Sequence, residues 1–147
     1  MICLVYVDDC IFFARKGTVI EAMIHDLQKN FELTIEDDAN AYLGISVCKD
    51  EESKKIHLTQ TGLIDKILET TGMKDCNPNA TPALVTPLGT DLDGAPRQDA
   101  WNYASVIGML LYLASSTRAD IQYAVHQCAR FTHDPKRSHE EAVKRIC

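Results

Sequence analysis

The chain has 147 residues, 46 % of them hydrophobic, with 15 basic against 21 acidic side chains and a formal charge of −6. That apolar content suffices for the core of one ordinary domain or of two small lobes. The acidic balance argues against a free-standing nucleic-acid-binding domain, which needs Lys and Arg for phosphate, and no apolar run approaches the ~20 residues of a membrane-spanning helix.

Residues 2 to 7 and 10 to 14 are rich in Ile, Val, Phe and Tyr and too short for helices, which predicts two strands folded back at Asp8 and Asp9. From Thr18, a candidate N-cap, Val19, Ile20, Met23, Ile24, Leu27 and Phe31 recur at helical spacing. The stretch "AYLGISVCKDEESKKIHLTQ" reads as a second hairpin of two strands joined by a charged turn around Asp50 to Lys54. Leu63, Ile64, Ile67 and Leu68 mark a short helix closed near Gly72.

The segment "DCNPNATPALVTPLGTDLDGAP" holds all but one of the prolines and breaks every period, so it is expected to carry the chain from one lobe to the next. Helices are predicted beyond it at about 101 to 115 and 120 to 131. A last helix is expected to begin with Ser138, which forms a capping-box pattern with Glu141. The fold class is α+β, with the strands in the first half. Six cysteines at 3, 10, 48, 76, 128 and 147 form no CxxC pair, and no signal-like segment precedes them, so a reduced, intracellular protein is expected.

The chemistry concentrates in "YVDD". Successive strand side chains point to opposite faces, so two adjacent carboxylates converge only where the chain turns. A plain hairpin turn accounts for Asp, but such turns favour Gly, and "VDDC" has none. The apolar flanks imply a buried sheet, at whose edge paired carboxylates would call for a divalent cation such as Mg²⁺, suited to phosphoryl or nucleotidyl transfer. Both readings stay open on the residues alone.

"LVYVDDCIFFA" resembles the YxDD turn of reverse transcriptases. The order of "LQKNFEL", "AYLGISV", "IHLTQTGLIDKILETTGMKDCNP", "YASVIGMLLYLASSTRADIQYAV" and "ARFTHDPKRSHEEAVKRI" is similar to the Ty1/copia class of LTR retrotransposons. Only about residues 83 to 98 fall outside this likeness. The resemblance implies the C-terminal half of a polymerase palm over residues 1–59, a thumb over 60–132 with a Pro-rich linker at about 76–98, and the start of the connection toward RNase H over 133–147.

It further implies that Asp8 and Asp9 are catalytic metal ligands, two of three palm carboxylates that bind a pair of Mg²⁺ or Mn²⁺ ions about 3.5–4 Å apart. Tyr6 and Val7 would form the floor beneath the nucleotide and primer end. Tyr42, Leu43 and Gly44 would belong to the primer grip, and Arg118 and Arg130 would contact nucleic acid. The implied partners are an RNA/DNA template-primer, deoxynucleoside triphosphates and the remainder of a Pol polyprotein (fingers, RNase H, integrase), with no membrane. The implied location is a cytoplasmic retrotransposon particle, with the nucleus as a further compartment.

Two departures stand out: "TIEDDANA" replaces a Gly-containing turn, with Asp37 and Asp38 read as solvated, and Ala119 replaces the proline of Arg-Pro-Asp. Seven residues precede Asp8, so the third carboxylate and the fingers would lie outside this sequence, and the fragment by itself is expected to be inactive. The competing readings are a non-catalytic remnant or interaction module and a small metal-dependent phosphotransfer enzyme using Asp8, Asp9 and Asp37 or Asp38.

Overall fold

The first apolar run forms β1, Ile2–Tyr6, and the second β2, Asp9–Phe13, paired antiparallel from Ile2 opposite Phe13 to Tyr6 opposite Asp9. The computed structural model describes residues 1–36, 41–50 and 52–147. Asp37 and Asp38, read above as a solvated turn, lie outside the described residues. The amphipathic stretch follows as α1, Gly17–Gln28, with Lys16 at its N-cap and Thr18 already inside the helix.

The second hairpin contains one more strand than its sequence suggests. Ala41–Tyr42 (β3) pairs antiparallel with Ile45–Asp50 (β4), and Lys55–Thr59 (β5) lies next to β4. Between β3 and β4 the two-residue turn is Leu43 and Gly44, with φ of 53° and 73°. Positive values at both central positions are the signature of a type I′ hairpin, and glycine meets that demand without strain. Beyond β4, the Asp50 carboxylate accepts the backbone N–H groups of Glu52 and Ser53, both at 3.1 Å, and the Ser53 hydroxyl. The Ser53 hydroxyl contributes most to holding Asp50 below its ordinary pKa.

The chain divides into two compact units, Met1–Leu58 and Thr59–Cys147. Helix α2, Thr61–Thr71, opens the second unit and stops at Gly72, whose φ of 69° lets its N–H reach the Glu69 carbonyl while Met73 reaches Leu68. That is a Schellman termination. Next come α3 (Tyr103–Ser116), a 3-10 turn (Ala119–Ile121), α4 (Gln122–Ala129) and α5 (Arg137–Ile146). Asn102 caps α3 by accepting the Ser105 N–H at 2.8 Å, so Trp101 stands before the helix rather than in it.

Helix α3 packs on α2 and α4, and α4 on α5. Val106, Ile107, Leu110 and Leu113 of α3 meet Ile67, Val125, Cys128 and Val143 in one core. Burial first, and then the Cys128 thiol, push the Tyr103 hydroxyl above its ordinary pKa, and the hydroxyl donates to the Cys128 carbonyl at 3.0 Å. Desolvation pushes the Cys128 thiol up to about 11.

Helix α5 starts two residues earlier than the Ser138 capping pattern suggests. Its N-cap is Lys136, whose backbone N–H donates to Nδ1 of His139 at 2.8 Å, while Nε2 of the buried His139 faces the Gly89 carbonyl at 2.8 Å. Ser138 instead donates to Asp91, and Glu141 pairs with Arg137. An imidazole reaching both neighbours satisfies more buried backbone than a serine hydroxyl could.

The Pro-rich segment does not carry the chain between the two units; it belongs wholly to the second and is tied to α5. Pro96 bridges Lys136, Arg137 donates to the Ala95 carbonyl, and Arg145 reaches Asn79 and Thr81. Arg97 lies over the rings of Trp101 and Tyr103, at 5.0 and 5.6 Å. It also pairs with Asp99 at 3.0 Å and approaches the buried Glu140 at 3.9 Å. Desolvation works to raise the Glu140 pKa, but Lys144, the Gln98 N–H and Arg97 outweigh it and hold the carboxyl below its ordinary value.

The apolar strands of the first unit are not buried as their composition predicts. Ile2, Val5 and Tyr6 are 62 %, 66 % and 60 % exposed, and among the described residues none of Met1–Leu58 is buried. A sheet face is buried only against a second layer, and β1 and β2 form a sheet of just two strands.

Candidate active site

The reversal in "YVDD" falls one residue earlier than expected, on Val7 and Asp8, and Asp9 is already the first residue of β2, opposite Tyr6. Either two-residue hairpin turn requires positive φ at its first central position. Val7 supplies it at 51° despite its branched Cβ, a conformation uncommon for any residue but glycine and strained for valine. The missing glycine is therefore replaced by backbone strain.

Asp8 sits in the turn and Asp9 beside it on the strand, both exposed. Hard carboxylate oxygens held by adjacent residues are a donor set for Mg²⁺ or Mn²⁺, which take one or two carboxylates and complete their shell with water and phosphate oxygens. The pair fits part of such a site. Among the described residues no cluster of three or more His, Cys, Asp or Glu side chains is gathered for a metal. The exposure of both carboxylates also removes the argument that burial forces a cation onto them.

The structure brings one further predicted residue to this place. Desolvation raises the pKa of the Tyr42 phenol, followed by the negative charge of Asp9 and the thiols of Cys10 and Cys3. Tyr42, which precedes the Leu43–Gly44 turn, thus interacts electrostatically with the carboxylate hairpin. Tyr6 and Val7 flank the turn, 60 % and 81 % exposed.

Arg118 and Arg130 belong to the second unit. Arg118 holds Asp120 in a bidentate pair, Nε to Oδ1 at 2.9 Å and Nη2 to Oδ2 at 2.8 Å, and that hydrogen bonding leads in pulling the Asp120 pKa down. Arg130 donates to Gln127 and lies over the Phe131 ring at 5.4 Å. Sequence reasoning missed the electrostatic interaction of Tyr42 with Asp9, which links residues of two separate sheets. It also missed Val7 as the turn residue. The signal available there was the absence of glycine, which leaves some other residue to adopt the positive φ.

Residues 1–85 match the family model described as reverse transcriptase (RNA-dependent DNA polymerase). The chain is 32 % identical to the retrovirus-related Pol polyprotein from transposon TNT 1-94 of Nicotiana tabacum, over 99 % of this chain and 11 % of that protein. It is 33 % identical to the Pol polyprotein from transposon RE1 of Arabidopsis thaliana, over 97 % of this chain and 10 % of that one. An uncharacterized mitochondrial protein of Arabidopsis thaliana is 31 % identical over 99 % of this chain and 59 % of its own length. The chain therefore spans about a tenth of the Pol polyproteins it matches. No solved structure matches it.

Proposed function

This chain belongs to the reverse transcriptase (RNA-dependent DNA polymerase) family and matches Ty1/copia-type retrotransposon Pol polyproteins, and we propose that it supplies such an enzyme with its carboxylate turn. The observation that carries this is the placement of Asp8 in an exposed two-residue hairpin turn, with Asp9 next to it at the start of β2 and its charge felt by the Tyr42 phenol. In this reading residues 1–59 are the second half of the palm, 60–132 the thumb and 133–147 the start of the connection.

Asp8 and Asp9 would hold divalent metal, which when bound neutralises charge on a nucleotide triphosphate and favours displacement by a primer 3′-hydroxyl. Asp8, within the turn, is the stronger direct ligand; Asp9 contributes charge from the strand. Tyr6 and Val7 offer an exposed apolar floor for a sugar or base. Tyr42, Leu43 and Gly44 form a tight turn suited to gripping a primer end near those carboxylates. Arg118 and Arg130 offer guanidinium groups to phosphate, Arg118 only by exchanging Asp120 for it. The substrates are a template-primer of RNA and DNA and deoxynucleoside triphosphates, the partner is the rest of a Pol polyprotein, and the setting is a cytoplasmic particle. Two carboxylates alone do not complete both metal sites, so this chain by itself would not polymerise.

The test is transplantation of residues 1–147 in place of the matching segment of a complete Ty1/copia-type Pol, followed by primer extension on poly(rA)/oligo(dT) with Mg²⁺ or Mn²⁺. The expected result is extension abolished by Asp8→Asn. Extension unaffected by Asp8→Asn would overturn the assignment, and a folded but inactive hybrid would mean the segment keeps the fold without the chemistry.

A further inference from the structure

We propose that Thr81 is a phosphorylation site for a proline-directed kinase, and that Arg145 of α5 receives its phosphate. Residues 77 to 81 run without helix or strand, all of them exposed, and Pro82 follows the threonine. A proline biases the residue before it toward extended backbone, the form in which a kinase groove takes its substrate. Thr81 is also distinguished by its partner. Arg145 donates from Nη2 to the Thr81 hydroxyl oxygen at 3.0 Å and from Nη1 to Asn79 Oδ1 at 3.3 Å. Its Nε is buried without a hydrogen-bond partner, and among the described residues no carboxylate pairs with this guanidinium. The charges beside it on α5 are already matched, Lys144 with Glu140 at 2.7 Å and Glu141 with Arg137 at 3.1 Å. Arg145 therefore holds a neutral hydroxyl with a planar fork that suits an anion better.

In the modification the Thr81 oxygen attacks the γ-phosphorus of ATP, forming the new O–P bond as the bond to ADP breaks. The hydroxyl proton passes to the base of the kinase. The product carries close to two negative charges and three acceptor oxygens. Arg145 lines a cavity of about 490 Å³ beside the Pro-rich segment, into which its flexible stem can withdraw as phosphate takes the place of the hydroxyl. The outcome is a charge-assisted pair that fastens the segment to α5. Thr86 is an internal control: it is exposed before Pro87, and among the described residues no guanidinium is bonded to it.

The site lies wholly in the second unit and is independent of metal binding at Asp8 and Asp9. It is tested by treating the whole chain with a kinase of the cyclin-dependent class and Mg-ATP, then sequencing the tryptic peptide of residues 75–97 by mass spectrometry. Phosphate is expected on Thr81. With Thr86→Ala leaving one Thr-Pro site, phosphorylation should raise the melting temperature by about 4 °C or more. The ³¹P resonance of the phosphothreonine should titrate at lower pH than in Arg145→Gln, where the melting shift should vanish. Each shift compares modified and unmodified forms of one variant, so any loss from Arg145→Gln itself cancels. A chain left unmodified at Thr81, or a melting shift or ³¹P titration that is the same with and without Arg145, would overturn the proposal.

Discussion

Ile2, Leu4 and Val5 in the first unit and Val106, Leu110 and Val143 in the second are the same kinds of side chain with opposite fates. The first three are 62 %, 48 % and 66 % exposed, whereas the second three are 0 %, 2 % and 0 % exposed. The difference lies in layering. In the second unit α3 meets α2 on one side and α4 on another, so its apolar residues are covered by two neighbours. In the first unit a two-stranded sheet has no comparable stack. Hydrophobic content states what would gain from burial; the number of layers decides what is buried.

Substitutions can break or sharpen this contrast. The largest effect is expected from Leu110→Ala, which empties the centre of the α3 core and should cost about 2–5 kcal/mol in a denaturant melt. Glu140→Gln comes next. It leaves the guanidinium of Arg97 and the ammonium of Lys144 facing a neutral amide, and because Lys144 reaches solvent the expected loss is about 1–3 kcal/mol.

That substitution also carries a pH signature. The Glu140 carboxyl is held below its ordinary pKa of 4.5 in the folded chain, so its contribution is complete above that pH and is lost as the pH falls through the folded value. Melts of the parent should therefore lose stability below about pH 4.5 more steeply than melts of Glu140→Gln. Parallel slopes would show that the carboxylate is not held by its partners.

Gly72→Ala should cost about 1 kcal/mol, because alanine pays for the left-handed conformation that ends α2. Leu4→Ala is the smallest, expected within about 0.5 kcal/mol as for other exposed positions. A Leu4→Ala loss as large as that of Leu110→Ala would erase the contrast between the units.

Much of the fold was legible because local chemistry decides it. The repeat of Leu63, Ile64, Ile67 and Leu68 with Gly72 behind it marked α2, and strand-forming residues on either side of "VDD" marked the first hairpin. The misses came from interactions distant in sequence. His139 prevailed over Ser138 at the start of α5 because Gly89, fifty residues away, offers a carbonyl to its ring. The Pro-rich segment read as a linker because proline breaks periodicity, yet Arg97, Ala95 and Pro96 bind it to α5 through contacts no period reveals. At the candidate site the carboxylates were legible and the register was not, since it turned on Val7 accepting a backbone conformation that propensity disfavours.

In that contrast the second unit holds the buried residues, and the first carries Asp8 and Asp9 exposed to solvent. The most direct test is titration of the labelled chain with Mn²⁺, following paramagnetic broadening of backbone amide resonances. The account predicts that residues 7 to 10 broaden first and that Asp8→Asn and Asp9→Asn each weaken the effect, Asp8→Asn more. Broadening that begins elsewhere, for example around Asp91 and Asp93, or that is indifferent to both substitutions, would contradict it.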